Sequence, residues 1–416
     1  MNVHCTVDAT DPFVRWWSEF LRGRIAIDDV TANPLRVVDL FSGAGGFGLG
    51  AALAARSLDR RAVFGAIADT DEEATRVYAR SLPVRRVLTD TVSMMVDHSV
   101  EYRETRASFD YAPEILDEAL AEELARTDLL IAGPPCQGHS NLNNHTRRDD
   151  PRNDLFVSTA AIGIAASVPA MVIENVPSVV NAHGEVVEIA RSLLEGEGYA
   201  VASGVLRMDA LGGWQTRRRY FMIAVRDGDP TSLERSFDDW RSGAGHTPEM
   251  ARSALGCFWA IEDLEDAETS DLFDSPPVQG PENTRRIAAL FERGLHDMPL
   301  DLRPDCHREG TTYGAVYGRM HADRPAPTIT TGIGTPGQGR FIHPTRPRLI
   351  TPREAARLQG FPDGYGFVGD RAPTRKSLAK WIGDAVPPFL GAIACGIALE
   401  ASLGHPFHPP WAADGG

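Results

Sequence analysis

A thiol follows two prolines at Pro134-Pro135-Cys136, and it is the chemically most suggestive group in the chain. The apolar run Leu129-Leu130-Ile131-Ala132 precedes it, and Gln137, Gly138, His139 and Ser140 form a polar, turning context after it. Proline fixes φ and donates nothing to a ladder, so the chain must leave a sheet there with few conformations open to it. Such an exit aims a sulfur at the mouth of a sheet, where it can serve as a nucleophile. A thiol that merely fills a core needs no such setting. Two further segments could act with it. Met171-Val172-Ile173-Glu174-Asn175 ends a strand in a carboxylate suited to acid or hydrogen-bond work on a bound heterocycle, or to a structural cap. Gln215-Thr216-Arg217-Arg218-Arg219-Tyr220 opens another strand, and alternation puts Arg217 and Arg219 on one face, able to hold a phosphate or an anion near the thiol.

A fourth segment is a cradle. Val37-Val38-Asp39-Leu40-Phe41 runs as a strand into Ser42-Gly43-Ala44-Gly45-Gly46-Phe47-Gly48, a glycine-rich turn that opens a helix. Glycine lets backbone approach a ligand closely, and a helix start offers free N–H groups. Gly43, Gly45 and Gly48 satisfy G-x-G-x-x-G, a pattern compatible with a dinucleotide or with another nucleoside cofactor. The next strand ends at Ala68-Asp69-Thr70-Asp71, where Asp69 can bind ribose hydroxyls, cap the following helix, or both.

Those groups must be carried by a scaffold, and short apolar runs alternate with helical patterns from about 35 to 226, as in a βαβ sheet. Strands are expected at 35–41, 62–68, 129–132, 171–173, 199–206 and 220–225, and helices at 46–55, 72–81, 155–166 and 186–194. In a doubly wound sheet the carboxyl ends of neighbouring strands line one crevice, which would bring Cys136 and Glu174 together. The rhythm is lost from about 227 to 320, as in a separate irregular lobe. Thr351, Pro352 and Glu354 spell a capping box that restarts a helix, and an apolar final helix over about 388–401 should pack on the first domain. The expected organisation is an N-terminal extension (1–33) without readable signal, a catalytic and cofactor-binding domain (34–226), a small irregular lobe (227–345), a returning segment (346–403) and a tail (404–416).

Composition fits a soluble globular protein with a large core: 416 residues, 43% hydrophobic. Five cysteines without Cys-x-x-Cys spacing argue against a disulfide framework and a zinc site, so no metal is expected and a reducing cytoplasm fits best. No apolar leader is apparent at the N-terminus, and the longest apolar run, 389–399, is too short to span a bilayer. A net charge of −15 looks wrong for a nucleic-acid binder, yet 337–376 holds eight basic residues against three acidic ones. Further arginines follow the thiol at Arg147, Arg148 and Arg152. These clusters suit phosphate contacts, or are solvated faces of an arginine-rich protein.

Taken in order, these segments resemble the DNA cytosine-5 methyltransferase family. The match includes Asp39-Leu40-Phe41-Ser42-Gly43-Ala44-Gly45-Gly46, Pro134-Pro135-Cys136-Gln137, Asp150-Pro151-Arg152-Asn153-Asp154-Leu155-Phe156, Glu174-Asn175-Val176 and Gln215-Thr216-Arg217-Arg218-Arg219. It continues through Arg324-Pro325-Ala326-Pro327-Thr328-Ile329-Thr330-Thr331, the stretch 349–362, and Gly383-Asp384-Ala385-Val386-Pro387-Pro388. It runs from about 35 to 402, leaving 91–127 and 227–320 without clear counterparts.

The resemblance implies an α/β, doubly wound, Rossmann-like S-adenosylmethionine-dependent methyltransferase sheet with a smaller irregular target-recognition lobe. It also implies that Cys136 attacks C6 of a cytosine flipped out of double-stranded DNA, with Glu174 at N3 and Arg217 and Arg219 holding the ring and adjacent phosphate. S-adenosyl-L-methionine is the implied cofactor. Phe41, Ser42, Gly43, Gly45, Gly46, Asp69, Thr70, Asp90, Pro134, Leu155, Asp384 and Ala385 are its implied pocket. Gln137, Ser140, Arg147, Arg148, Gln215 and Arg340 are the implied DNA contacts. The setting would be cytoplasmic, without a membrane, and restriction or phage-defence proteins are the partners it allows. Asp384 stands where the family usually has Asn, and Trp214 where it usually has Pro. A tRNA cytosine methyltransferase, a DNA-binding relative without turnover, and a nicotinamide-dependent oxidoreductase resting on G-x-G-x-x-G are the competing readings.

Overall fold

The computed structural model describes residues 8–27, 33–103, 106–135, 154–181, 185–243, 254–266, 271–304 and 316–412. The chain folds into two compact units. The larger comprises 26–207, 218–251 and 386–416; the smaller comprises 1–25, 208–217 and 252–385.

The larger unit is built on seven strands: β1 (Pro34–Leu40), β2 (Arg61–Ala68), β3 (Val84–Leu88), β4 (Leu129–Ala132), β5 (Ala170–Asn175), β6 (Tyr199–Arg207) and β7 (Arg218–Arg226). Their order is β6-β7-β5-β4-β1-β2-β3. β3, β2, β1, β4 and β5 are parallel, whereas β7 runs antiparallel to both β5 and β6. Sequence order reverses between β1 and β4, the place where such sheets open a crevice at their carboxyl ends. Being antiparallel, β7 brings its beginning to that edge: Tyr220 pairs with Asn175, the last residue of β5.

Alternation then sorts the side chains. Val38, Leu40, Ala132, Ile173 and Met222 join one hydrophobic core with Phe156, Ala160, Ala190 and Leu193 from α5 (Asp154–Ala165) and α6 (Val186–Gly196). Asp39, Glu174 and Arg219 fall on the alternate positions. α2 (Gly46–Arg56) and α12 (Pro388–Leu403) pack closely: a Cβ on Gly50 would lie 2.8 Å from the backbone of Gly391. α12 is apolar and buried from Pro388 to Leu399, so it is the core helix the sequence implied. The described segment long and apolar enough to cross a bilayer is Arg375–Leu403, and 89% of its apolar 18-residue stretch is buried within the fold. α3 (Glu72–Ser81) is capped by Asp71, which accepts from the Ala74 N–H. The stretch 91–127, left without a clear family counterpart, forms two small antiparallel pairs, 96–97 with 114–115 and 100–103 with 106–109, followed by α4 (Glu118–Leu124). α7 (Pro230–Ser242) packs on β6, its Phe237 ring filling the space a side chain at Gly204 would need.

The smaller unit holds α1 (Pro12–Leu21), α8 (Cys257–Ile261), α9 (Pro281–Glu292), α10 (Pro352–Gln359) and α11 (Arg375–Asp384). α10 begins with the expected capping box, Thr351 and Glu354 each bonding the other's backbone N–H. The partition departs from the expected boundaries in three places. Residues 227–243 stay with the sheet, because Phe237 and Leu233 bury there. Residues 346–385 stay with the smaller unit, where Arg357 of α10 is held by Asp263 at 2.6 Å and by Asp363 at 2.5 Å. The N-terminal extension is not featureless: Phe13, Val14, Trp17, Phe20 and Leu21 make an apolar stripe on α1. Its Trp17 ring meets Trp214 edge-on at 5.1 Å, and Trp214 lies 5.4 Å from Trp259.

Candidate active site

At the carboxyl edge of the sheet, β1 leaves through a turn that only a special backbone can make. Phe41, Gly43 and Gly45 have φ of 57°, 49° and 90°. A left-handed Phe41 is strained, and strain of this kind persists where surrounding contacts fix it. Here they do. Ser42 N–H donates to Ala68 O at 3.0 Å, Gly45 N–H to Ser42 O at 3.0 Å, and Gly133 N–H to Leu40 O at 3.2 Å. Gly43 N–H donates to Asp69 Oδ2 at 2.8 Å, and Asp69 Oδ1 accepts from Asp71 N–H at 2.8 Å. Asp69 therefore ties the end of β2 to the glycine turn, and Asp71 does the capping. A carboxylate has about four acceptor sites, so Asp69 retains capacity for hydroxyl donors.

The turn fits a nucleoside cofactor by two observations. The Ser42 hydroxyl is buried, with 6% of the residue exposed, and has no hydrogen-bond partner among the described residues. A Cβ placed on Gly43 would meet no atom of the described residues within 4 Å, so among them nothing fills the space beside this backbone. Gly48 serves differently: a Cβ there would lie 1.9 Å from the Tyr78 hydroxyl oxygen, so its absence admits Tyr78 of α3. The other residues expected of this pocket stand as follows. Gly46 opens α2, Thr70 and Asp90 are exposed at the ends of β2 and β3, and Pro134 and Leu155 are buried. In the smaller unit Asp384 ends α11 with Lys380 Nζ at 3.6 Å, and Ala385 is its C-cap.

Two strands further along, Glu174 pairs across the ladder with Phe221. Arg219, two residues before Phe221, shares that face and is a diagonal neighbour within reach of a long side chain. Its Nε lies 2.7 Å from Glu174 Oε1, with the two side chains 14% and 9% exposed. The guanidinium N–H is not aimed at that oxygen as a hydrogen bond, so Arg219 holds the carboxyl group by charge across a short, largely buried ion pair. The Glu174 carboxylate also flanks the exit of β4, because a Cβ on Gly133 would sit 3.7 Å from Oε2. Asn175 closes the corner: its Nδ2 donates to Pro134 O at 3.3 Å and its Oδ1 accepts from Val176 N–H at 2.8 Å. Glu174, Arg219 and the Gly133-Pro134-Pro135 exit are thus brought together. Cys136, Gln137, Ser140, Arg147 and Arg148 lie outside the described residues.

Arg217 is engaged differently from Arg219. It is fully buried, and its guanidinium donates to Ile329 O at 2.5 Å, Gly383 O at 2.9 Å and Ala385 O at 2.8 Å, all within the smaller unit. Gln215, expected at DNA, is buried too: its amide donates to Leu358 O at 2.8 Å and Gln359 Oε1 at 3.0 Å and accepts from Ile329 N–H at 2.9 Å. Gln359 in turn donates to Ile382 O and Ala385 O. The Trp214 indole donates to the carbonyls of Arg357 and Leu358, each at 3.1 Å, which explains what this residue does in place of proline. The segment 214–217 is a knot that joins three distant pieces of chain.

The basic run is likewise engaged internally. Arg340, expected at DNA, pairs with Asp297 and donates to the carbonyls of His296 and Arg319. Arg346 pairs with Glu265 and Asp266, Arg348 with Glu354, and Arg353 with Asp274. Arg324 and Lys376 are exposed and form no ion pair among the described residues.

The sequence profile of C-5 cytosine-specific DNA methylases matches residues 35–395. The Type II methyltransferase M1.BsuMI of Bacillus subtilis strain 168 is 37% identical over 361 residues, covering 86% of this chain and 79% of that protein. The Type II methylase M.HgiDII of Herpetosiphon aurantiacus is 30% identical over 367 residues, covering 86% and 93%. Among solved structures, a DNA modification methyltransferase encoded within an E. coli prophage superposes with a TM-score of 0.57 at 22% identity, covering 89% of this chain and all of that one. The S. pombe Dnmt2 methyltransferase gives 0.54 at 16%, covering 88% and 99%. Both agree with the α/β architecture.

Proposed function

This chain belongs to the C-5 cytosine-specific DNA methylase family and is a DNA cytosine-5 methyltransferase, and on that premise we propose that it methylates cytosine in duplex DNA through a covalent adduct at Cys136. The observation that carries this reading is the 2.7 Å contact of Arg219 with Glu174 beside the Gly133-Pro134-Pro135 exit. Cys136 follows that exit directly in the sequence.

The stacked base hides C6, so the target nucleotide is rotated out of the duplex. The Cys136 sulfur bonds to C6 while Glu174 holds a proton at N3, taking up the charge that develops on the ring; that contact is worth most in the transition state. Arg219 fixes the carboxyl of Glu174 and lends a positive field to the ring. S-adenosylmethionine, when bound, supplies the methyl group to C5, and the turn at Phe41, Ser42, Gly43 and Asp69 would hold it. Loss of the C5 proton to a base then expels the sulfur and restores the double bond between C5 and C6. Arg217 and Gln215 act one step removed, by holding Ile329 and the 382–385 segment in place.

The Type II names of the relatives support a restriction-modification or phage-defence setting in the cytoplasm, with double-stranded DNA as the partner. Bisulfite sequencing of DNA from expressing cells tests the reading, paired with transfer of label from the cofactor to duplex DNA and to tRNA. Methylated cytosines within one short sequence context are expected. Label in tRNA alone would overturn it.

A further inference from the structure

Beneath the glycine turn lies an acid that the mechanism does not use. Asp39, on β1 two residues before Phe41, is 1% exposed. Its Oδ2 accepts from the Tyr78 hydroxyl at 3.0 Å, and its Oδ1 has no hydrogen-bond partner among the described residues. Gly48 makes room for this arrangement, since a Cβ there would lie 1.9 Å from the Tyr78 oxygen and 3.2 Å from Asp39 Oδ2. Three titratable groups face Asp39: Asp69 from the end of β2, Tyr78 from α3 and Cys395 from α12. None of them is a cation. A buried carboxyl without a counter-charge is costly, and packing alone would be served better by an apolar residue.

We propose that Asp39 is a charge-matching group for the cofactor, giving up its proton when a sulfonium occupies the adjacent turn. The inference rests on the cofactor reading above. Burial holds the Asp39 carboxyl well above the usual carboxylate range and Asp69 adds to that, while the Tyr78 hydroxyl pulls the other way. Burial without a counter-charge thus favours the protonated form of Asp39 in the free protein. A positive sulfur placed at Phe41, Ser42 and Gly43 supplies the missing counter-charge and favours the carboxylate. The O–H bond of Asp39 breaks, its proton passes to bulk buffer, and the carboxylate remains. S-adenosylhomocysteine, whose sulfur is neutral, leaves Asp39 protonated. Ionisation of Asp39 thus favours the methyl donor over the spent product.

Titration calorimetry of the full chain in two buffers of different ionisation enthalpy reads proton release directly. S-adenosylmethionine should release up to about one proton more than S-adenosylhomocysteine, because the amino acid groups shared by the two cancel. Its affinity relative to the product should rise by up to about tenfold per pH unit while Asp39 is protonated in the free protein. Asp39→Asn keeps an acceptor for Tyr78 and should abolish the difference. Tyr78→Phe removes the bond that lowers the Asp39 value, so the pH range of release should move upward; this second variant decides the matter if the first does not fold. Equal proton release for the two ligands in the wild type, or a difference that survives Asp39→Asn, would overturn the proposal. Failure of both ligands to bind would instead defeat the cofactor reading on which it rests.

Discussion

Arg217 and Arg219 are two residues apart, yet the structure gives them different work, and substituting each by Met separates the two. Arg217→Met keeps the side-chain length and removes three hydrogen bonds to Ile329 O, Gly383 O and Ala385 O. Ala385 O keeps a second donor in Gln359 Nε2 at 2.7 Å, so two carbonyls lose the partner described for them. At about 1–3 kcal/mol for each buried group left unpaired, the loss is roughly 2–6 kcal/mol. Arg217→Lys should recover little, because an ammonium cannot reproduce a planar fork spanning three carbonyls. Arg219→Met leaves the Glu174 carboxyl, whose side chain is 9% exposed, without its cation; it should cost up to about 3–5 kcal/mol and should lower methyl transfer by about 100-fold or more, a loss of rate well beyond that of Arg217→Met at equal folded fraction. Urea denaturation of each variant, followed by tryptophan fluorescence and paired with methyl-transfer rates, measures both effects. An Arg217→Met protein as stable as wild type but inactive would refute the division and put Arg217 at the substrate.

Three other outcomes are expected. Burial would raise Glu354, but the Arg348 fork at 2.7 and 2.8 Å and His343 at 3.4 Å overcome it and hold the carboxyl at about 2 rather than 4.5. Because its folded value is depressed, the stability it contributes is present above about pH 4.5 and is lost as pH falls through about 2; it is on the order of 3 kcal/mol, and Glu354→Gln should flatten that part of the stability profile. Trp17→Ala removes a fully buried ring from between α1 and Trp214 and should cost about 3–5 kcal/mol in denaturation, with Trp17→Phe recovering most of it. Among cations, Lys376→Ala and Arg324→Ala should each reduce the salt dependence of DNA binding by about one unit of slope, whereas Arg346→Ala, whose guanidinium meets Glu265 and Asp266, should leave the slope unchanged; filter binding at several salt concentrations decides.

Periodicity located the sheet well because its parallel strands are buried on both faces and read as apolar runs bounded by turn residues. β1, β2, β4 and β6 begin and end within a residue of expectation. β3 was not legible: Val84-Arg85-Arg86-Val87-Leu88 is half exposed at the sheet edge and carries two arginines. α1 was hidden for another reason, since its aromatic stripe has meaning only beside Trp214 and Trp259, far away in sequence. Alternation failed at Arg217 because the strand begins at Arg218, so the rule that places Arg219 beside Glu174 does not reach it. The basic run misled because sequence records charge without its partners: Asp263, Asp274, Glu265 and Asp297 lie in the stretch that read as irregular, and each meets an arginine. The glycine turn, Asp69 and Glu174 were legible because strand ends in a doubly wound sheet converge by topology.

The claim that matters most is that Cys136 bonds to the base. Duplex DNA made with 5-fluorocytosine in place of cytosine, incubated with the protein and S-adenosylmethionine, cannot lose a proton from C5 and so should trap the adduct. A complex that survives denaturing electrophoresis, with the nucleotide mapped by mass spectrometry to the peptide containing Cys136 and absent from Cys136→Ser, is the predicted result. Methyl transfer to ordinary DNA by Cys136→Ser at the wild-type rate, or a trapped nucleotide on any other residue, would contradict it.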